Sequence, residues 1–236
     1  MLVKTRGIVL NYIKFRETSI IARVYTEQLG LQSYIVNSIR KKGPATRIAL
    51  FQPLTLLDMV VYTSPSGGIT RISEYKCGHP FQSIFSDIRK SSVALFLSEI
   101  ISASVKEEEE NEPLFNFLYQ SIVAFDRQEE NFENFHLVFL LQLAHYLGFG
   151  PASATEITDQ VAFSAPTGNS AQPSVLHFQM FDSLLEQLMK NPQEAVVPNG
   201  KVRKELLNIL IRFYQLHIDR LGEIKSLNVL SEVLAD

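Results

Sequence analysis

Near residue 81 the spacing of apolar side chains changes from two residues to about 3.6, so one chain must supply both a sheet face and helical stripes. Before that point β-branched and aromatic residues dominate, and turn residues recur at short intervals. The alternation predicts five short strands, over residues 3–14, 19–26, 31–36, 54–62 and 69–76. The last two are joined by Thr63-Ser64-Pro65-Ser66-Gly67-Gly68, in which proline presets one turn dihedral and the glycines admit positive φ, as a hairpin loop requires. Gly7 interrupts the first strand, where a bulge or sharp bend would let a small sheet curl closed. Five curled strands predict a small barrel.

Beyond residue 81 the pattern predicts helices. Ile84, Ile88, Leu95 and Ile100 fall on helical faces, with one helix expected over 86–104 and an acidic link, Glu107 to Glu110, after it. Pro113 sits where a first-turn proline opens a helix, here through residue 125. A third helix over 132–147 ends at Gly148, with Pro151 barring its continuation. Residues 150–175 are rich in Ala, Ser, Thr, Pro and Gly, and Ala165 to Ser174 in particular has the composition of a loop. Helices resume over 178–190 and from 202, where Leu206, Leu210, Phe213 and His217 share one face. The fold class expected is α+β: a barrel domain over 1–80, then a helical domain over 81–236 carrying an irregular insertion at about 150–177.

Charge follows the same division. The overall balance of −3 hides eleven basic against four acidic side chains in residues 1–80, five against sixteen in 81–200, and six against five in 201–236. A first third carrying +7 is suited to a polyanion, while the acidic remainder is suited to something else. With 46% hydrophobic and 20% charged residues the chain is too apolar to be disordered. A single cysteine, Cys77, excludes an internal disulfide framework and suits a reducing, cytoplasmic setting. The N-terminus passes from Lys4 and Arg6 straight into a strand pattern without a signal-peptide core, and the most apolar stretch, Leu137 to Phe149, is well short of a bilayer span.

The basic residues Lys4, Arg6, Lys14, Arg16, Arg23, Arg40, Lys41, Lys42 and Arg47 are interleaved with Tyr12, Tyr25 and Tyr34. Cations that track phosphates, with aromatic faces that stack bases, are what a single-stranded nucleic acid needs. Arg23 and Tyr25 lie two apart and so share a strand face. A solvated barrel surface with core tyrosines is the competing reading for any one of these residues. Arg40-Lys41-Lys42-Gly43 forms a basic loop placed to clamp a backbone, or a generic loop.

Chemistry of other kinds finds little support. Cys77-Gly78-His79 offers two ligands too close together for a usual zinc pair, and both are assigned to structure. His136 and His145, nine residues apart on one predicted helix, point to opposite faces, and His177 and His217 are isolated. Gly148-Phe149-Gly150 follows a helix rather than a strand, and Gly67-Gly68 lacks the lysine and hydroxyl of a phosphate loop. No Gly-x-Ser-x-Gly elbow is present, and the run Glu107 to Glu110 is the solvated kind of charge cluster. No cofactor or catalytic residue is predicted.

Several stretches resemble the bacterial RecO family of recombination mediators: Thr5-Arg6-Gly7-Ile8-Val9-Leu10, Phe15-Arg16-Glu17-Thr18-Ser19, Thr26-Glu27-Gln28-Leu29-Gly30, Leu50-Phe51-Gln52-Pro53-Leu54, Leu140 to Pro151, and Gly222-Glu223-Ile224-Lys225-Ser226-Leu227. Each motif is short, and their order along nearly the whole chain makes the resemblance specific. It implies an N-terminal OB barrel followed by a helical domain, and a protein that is not an enzyme. Its implied partners are single- and double-stranded DNA, which it anneals, RecR, with which it loads RecA, and the acidic C-terminal tail of single-strand binding protein. The implied place of action is the cytoplasm, at the nucleoid. Many members carry four zinc-binding cysteines after the Leu-Gly-x-x-Pro turn; residues 152–178 contain none, so no metal is carried over. An acidic helical block would repel an acidic tail, which makes Arg89, Lys90 and Arg212 the candidates for a partner groove. The alternatives are a protein-only adaptor, whose barrel recognises a peptide or an acidic protein surface, and a small-molecule enzyme, for which no motif is present.

Overall fold

The computed structural model describes residues 1–37, 39, 46–64, 67–164, 175–219 and 221–235. Two compact units result, Met1–Glu129 and Glu130–Asp236. In the first, β1 (Leu2–Phe15), β2 (Ser19–Thr26), β3 (Gly30–Val36), β4 (Leu56–Tyr62) and β5 (Thr70–Cys77) close into a barrel in the order β1-β2-β3-β5-β4. The β3–β5 pair is parallel and the other pairs are antiparallel, the arrangement of an OB barrel. Each strand begins and ends within two residues of the range that the alternation predicts. Val9, Ile20, Ala22, Val24, Tyr34 and Val36 are among the side chains that fill the interior.

Closure depends on a break in β1, but the break is not at Gly7. The register shifts between Val9 and Asn11, where the N–H of Val9 donates to the Thr55 carbonyl (2.9 Å) and the Val9 carbonyl accepts from the Leu54 N–H (2.7 Å). The segment before β4 thus supplies the ladder partners at the bulge, with Leu54 held at φ 66°. Gly7 serves closeness instead: a Cβ there would lie 2.4 Å from Met59 Cε and 2.7 Å from Val24 Cγ1, so the backbone runs flush against the packed interior.

A short helix α1 (Thr46–Ala49) precedes β4, while α2 (Ile88–Ser104) and α3 (Glu112–Arg127) complete this unit. Asp87 and Asn111 cap α2 and α3 by accepting from the N–H groups of Arg89 and Leu114. The junction between barrel and helices is set by one carboxylate. Asp126, 2% exposed near the end of α3, accepts from the backbone N–H of Gln82 (2.9 Å), Ser83 (2.9 Å) and Ile84 (3.1 Å). Lys90, equally buried, donates to Ser83 Oγ (2.6 Å) and to the carbonyls of Phe125 and Asp126 (both 3.1 Å). The two helices then lie on the outer face of β1 and β2, where Asn11 and Arg23 both donate to Ser102 Oγ on α2 (3.2 Å each). The acidic link between them is backed onto β3: Leu31 N–H donates to the Glu107 carbonyl (2.9 Å), and a Cβ on Gly30 would lie 2.4 Å from the Glu109 carbonyl oxygen.

The second unit contains a 3-10 turn (Phe132–Asn134) running into α4 (Phe135–Tyr146), then α5 (Ala154–Phe163), α6 (Val175–Lys190), α7 (Gly200–His217) and α8 (Ser226–Val233). Helix α4 is apolar on most sides and central, and the buried Tyr214 of α7 donates its hydroxyl to the Leu140 carbonyl (2.6 Å). Buried Arg203 donates to Asn134 Oδ1 (3.0 Å) and to the Leu234 carbonyl (2.8 Å), tying both ends of the unit to α7. Within the stretch expected to be irregular lies α5. Its start has the Ser-x-x-Glu pattern of a capping box: Ser153 Oγ accepts from Glu156 N–H (3.3 Å) and the Glu156 carboxylate accepts from Ala152 N–H (2.8 Å). Residues 165–174, the most loop-like of that stretch, lie outside the described residues.

Removing the Asp126 carboxylate strands three amide donors. Asp126→Ala is expected to lower the unfolding free energy by on the order of 3 kcal/mol, measured by urea denaturation of the full chain. Burial works against the charged form of Asp126, but the amide donors outweigh it and hold its pKa below the ordinary 3.8. The stabilisation is therefore complete above the unfolded-state pKa and is lost as pH falls through the lower folded one, so the gap between wild type and variant should shrink only below about pH 4.

Candidate nucleic-acid interface

The cations and tyrosines of the first 80 residues separate by the barrel face they occupy. Arg23 and Tyr25 do share the outer face of β2, but that face belongs to the chain's own helices. Tyr25 is 0% exposed, its ring centroid 6.2 Å from that of Phe115 on α3. Burial, reinforced by the charge of Glu107, pushes its phenol pKa well up. The expectation that Tyr25 stacks on a base is thus corrected: neither face of the ring is open. Tyr34 lies inside the barrel and Tyr12 packs half-buried against the same core. Arg23 is half-buried and committed to Ser102.

Arg6 is held in a different way. Its Nε and Nη2 donate to Glu27 (2.9 and 2.6 Å), and the guanidinium carbon lies 5.1 Å from the Phe115 and 4.8 Å from the Tyr119 ring centroid. The Glu27 bond raises the Arg6 pKa against the opposing effect of burial. Lys4, Arg6 and Lys76 line a groove of about 590 Å³ on the β1–β4–β5 side, together with Glu27, Asp58 and Glu74. Three positive and three negative side chains cancel there, and Lys76 is paired with Asp58 at 3.4 Å. A polyanion gains little from such a surface.

The opposite end of the barrel has another character. Lys14 is exposed at the end of β1, and Arg16, in the β1–β2 turn at φ 53°, lays its guanidinium 5.2 Å from the Phe15 ring centroid. Arg71, at the start of β5, is exposed and pairs in register with Ile35 of β3. Among the described residues, Lys14, Arg16 and Arg71 form no ion pair. Arg71 escaped the sequence reading because it stands alone in a polar strand, and only the parallel β3–β5 pairing places it at the same end of the barrel. Arg47 is exposed on α1, while Arg40, Lys41 and Lys42 lie outside the described residues.

Of the residues considered for a partner groove, Lys90 is corrected: its ammonium is buried against backbone carbonyls and cannot meet an incoming acid. Arg89 is exposed and pairs with Asp87 at 3.2 Å. In the second unit, Arg212 donates to the hydroxyl and carbonyl of Ser164 (3.3 and 3.0 Å), next in sequence to Phe163, which is 95% exposed. His136 is buried, and burial together with Arg203 pushes its pKa down to about 3; His217 is exposed and stacks on Phe149 with ring centroids 4.9 Å apart. Among the described residues no three His, Cys, Asp or Glu side chains are grouped to hold a metal ion, and no helix is long and apolar enough to cross a membrane.

The Tyr25 hydroxyl has no hydrogen-bond partner among the described residues. Tyr25→Phe removes a polar atom without stranding another, so unfolding free energy should be equal or up to about 1 kcal/mol higher by urea denaturation. Affinity for a single-stranded oligonucleotide should stay within two-fold of wild type; a large loss would return the ring to the interface.

Residues 1–81 match the family profile described as recombination protein O N terminal, and residues 85–228 that described as recombination protein O C terminal. The chain is 36% identical over 242 residues to the DNA repair protein RecO of Flavobacterium johnsoniae, an alignment that covers 100% of both chains. It is 38% identical over 241 residues to the protein of that name from Bacteroides fragilis, covering 99% of each. With Christiangramia forsetii the identity is 31% over 241 residues, again with 99% coverage of both. An OB-ordered barrel, helices beyond it and full-length similarity agree, and the chain belongs to the recombination protein O (RecO) family.

Proposed function

We propose that this chain is a DNA-binding recombination mediator in DNA repair, which binds and anneals single strands and, together with RecR, helps load RecA onto DNA coated with single-strand binding protein. The observation that carries this reading is that Lys14, Arg16 and Arg71 are exposed at one end of the barrel and without carboxylate partners among the described residues. Phosphates neutralised there release counterions, and the basic stretch Arg40-Lys41-Lys42, which follows β3 in the chain, adds to the same charge. Double-stranded DNA is held by the same electrostatic term.

The acidic tail of single-strand binding protein is assigned to the second unit. There Arg212 supplies a cation, with Phe163 (95% exposed) and Leu216 (43% exposed) as apolar contacts. Arg89, exposed and paired with Asp87, is the other candidate for that acidic partner. The protein acts without catalytic chemistry or a cofactor, in the cytoplasm at the nucleoid. A second reading, a protein-only adaptor, draws support from the charge-balanced groove on β1–β4–β5, which suits a mixed-charge peptide better than a polyanion.

Titration of the isolated chain with a single-stranded oligonucleotide at rising salt separates the two. Log affinity should fall linearly with log salt by about 0.7 for each phosphate neutralised, and charge reversal at Lys14 and Arg16 should flatten that slope. A flat response in the wild type favours the adaptor. Repeating the titration with a peptide of the single-strand binding protein tail should show that Arg212→Glu weakens peptide binding while leaving the oligonucleotide affinity within two-fold.

A further inference from the structure

We infer that the outer face of β1, β4 and β5 is a docking site for an extended segment of a partner protein, one that presents an acid, an apolar residue and a base at alternate positions along one side.

The face is built from cross-strand rows. Leu2 of β1 pairs with Tyr62 of β4; Lys4 pairs with Val60, and Val60 with Glu74 of β5; Arg6 pairs with Asp58, and Asp58 with Lys76. Residues paired in register share a face, and these point outward because their neighbours along β4, Leu57, Met59 and Val61, fill the barrel. Lys4, Arg6, Glu74 and Lys76 wall the groove of about 590 Å³, whose lining also includes Asp58 and Val60.

The two charged rows differ in what they have left to offer. In the Arg6–Asp58–Lys76 row both cations are taken, Arg6 by Glu27 at 2.6 Å and Lys76 by Asp58 at 3.4 Å. In the other row Lys4 and Glu74 are exposed, and among the described residues neither forms an ion pair. A cross-strand neighbour of opposite sign would neutralise either charge, but Val60 stands in that place. An available cation and an available anion therefore flank an apolar residue, with their backbones roughly 10 Å apart at about 4.8 Å per strand. The next row extends the apolar part, since Leu2 is 52% and Tyr62 47% exposed.

Complementarity selects the occupant. A polyanion meets Glu27, Asp58 and Glu74 here along with the cations. A second copy apposed about a two-fold along β4 would set Lys4 opposite Glu74, but also Arg6 opposite Lys76 and Asp58 opposite itself, like charge on like. An extended segment has neither difficulty, because it need match only the row with charges to spare. Its side chains at i, i+2 and i+4 fall on one side, so the acid meets Lys4, the apolar residue lies on Val60 and the base meets Glu74. Alternate residues of such a segment are about 6.7 Å apart, and the long side chains of Lys4 and Glu74 take up the difference from the strand spacing by splaying outward. The inference gives the charge-balanced groove an occupant and stands apart from the DNA-binding reading, since none of Lys14, Arg16 and Arg71 lines the groove.

The test uses labelled, end-blocked probes with the cores Glu-Ser-Val-Ser-Lys, Glu-Ser-Val-Ser-Glu and Lys-Ser-Val-Ser-Lys, titrated with the full chain by fluorescence anisotropy. Wild type should bind the mixed probe more tightly than either like-charged probe by about three-fold or more, the scale of one exposed ion pair gained or lost. Lys4→Glu should move the preference to the dibasic probe and Glu74→Lys to the diacidic one, a reversal that loss of folding cannot produce. Equal binding of the three probes by the wild type, or an unchanged order of preference in both variants, overturns the site. So does absence of mixed-probe binding at about 1 mM, the weak end of specific recognition. Displacement of the mixed probe by a single-stranded oligonucleotide assigns the face to nucleic acid, and sedimentation of the wild type as a dimer that Lys4→Glu abolishes assigns it to a second copy; either result also overturns the inference. A wild type that binds the mixed probe but no oligonucleotide removes the DNA-binding reading and leaves this site standing.

Discussion

Three backbone N–H groups directed at the Asp126 carboxylate decide where α2 and α3 go, and the rest of the first unit follows from that. The chain leaves β5 at Cys77 and must turn into a helix at Ile88, and the intervening amides need partners if they are buried. Asp126 supplies them from the far end of α3, so the barrel exit and the helix pair are fastened at one point. The ammonium of Lys90 closes the same knot by satisfying the last carbonyls of α3. Once fastened there, α2 lies beside β1 and β2 with Ser102 over Asn11 and Arg23, and α3 places Phe115 over Tyr25. An OB barrel offers ligands its strand 2–3 face. This chain covers half of that face with its own helices.

Much of this was legible in the sequence because it is a matter of period. Alternation located five strands, and the proline and glycine of the Thr63–Gly68 loop placed a hairpin between the last two. Pro113 and Gly148 marked a helix start and a helix end for reasons intrinsic to those residues: Pro113 lies in the first turn of α3, and Gly148 takes φ 85° after α4. The bulge at Leu10 was not legible, since it arises from Leu54 and Thr55, more than forty residues away, which supply the hydrogen bonds at the break. Helix α5 was hidden by composition: Ala, Ser and Thr resemble a loop when counted, and only the Ser153–Glu156 spacing, a local capping signal, marks the helix start.

The site shows the same limit more sharply. Period two correctly put Arg23 and Tyr25 on one face, but no pattern within a strand says whether a helix will later cover that face. Counting charges correctly found the basic third of the chain, but a count cannot see that Arg6 is tied to Glu27 and to two aromatic rings, or that Lys4 looks into a groove with as many acids as bases. Arg71, which register places beside Ile35, carries no local signal at all. Pairing between β3 and β5 is a tertiary fact, and it decides which cations act together.

Few unpaired cations at one end of a barrel make a particular kind of candidate nucleic-acid surface. Each neutralised phosphate adds affinity through counterion release, and an aromatic platform adds stacking on every base it meets. A barrel that turns Tyr34 inward and covers Tyr25 with a helix keeps the first contribution and gives up those two rings for the second. Under the proposed DNA-binding role, affinity per nucleotide would then be modest and the strand would leave readily, because differences in affinity between related complexes lie mostly in the rate of departure. For a protein that must hold a strand long enough to pair it and then pass it on, as the proposed mediator role requires, short residence is a useful property. Burying Tyr25 under Phe115 therefore completes the packing of α3 on the barrel and, under the proposed DNA-binding role, takes that ring out of reach of a base.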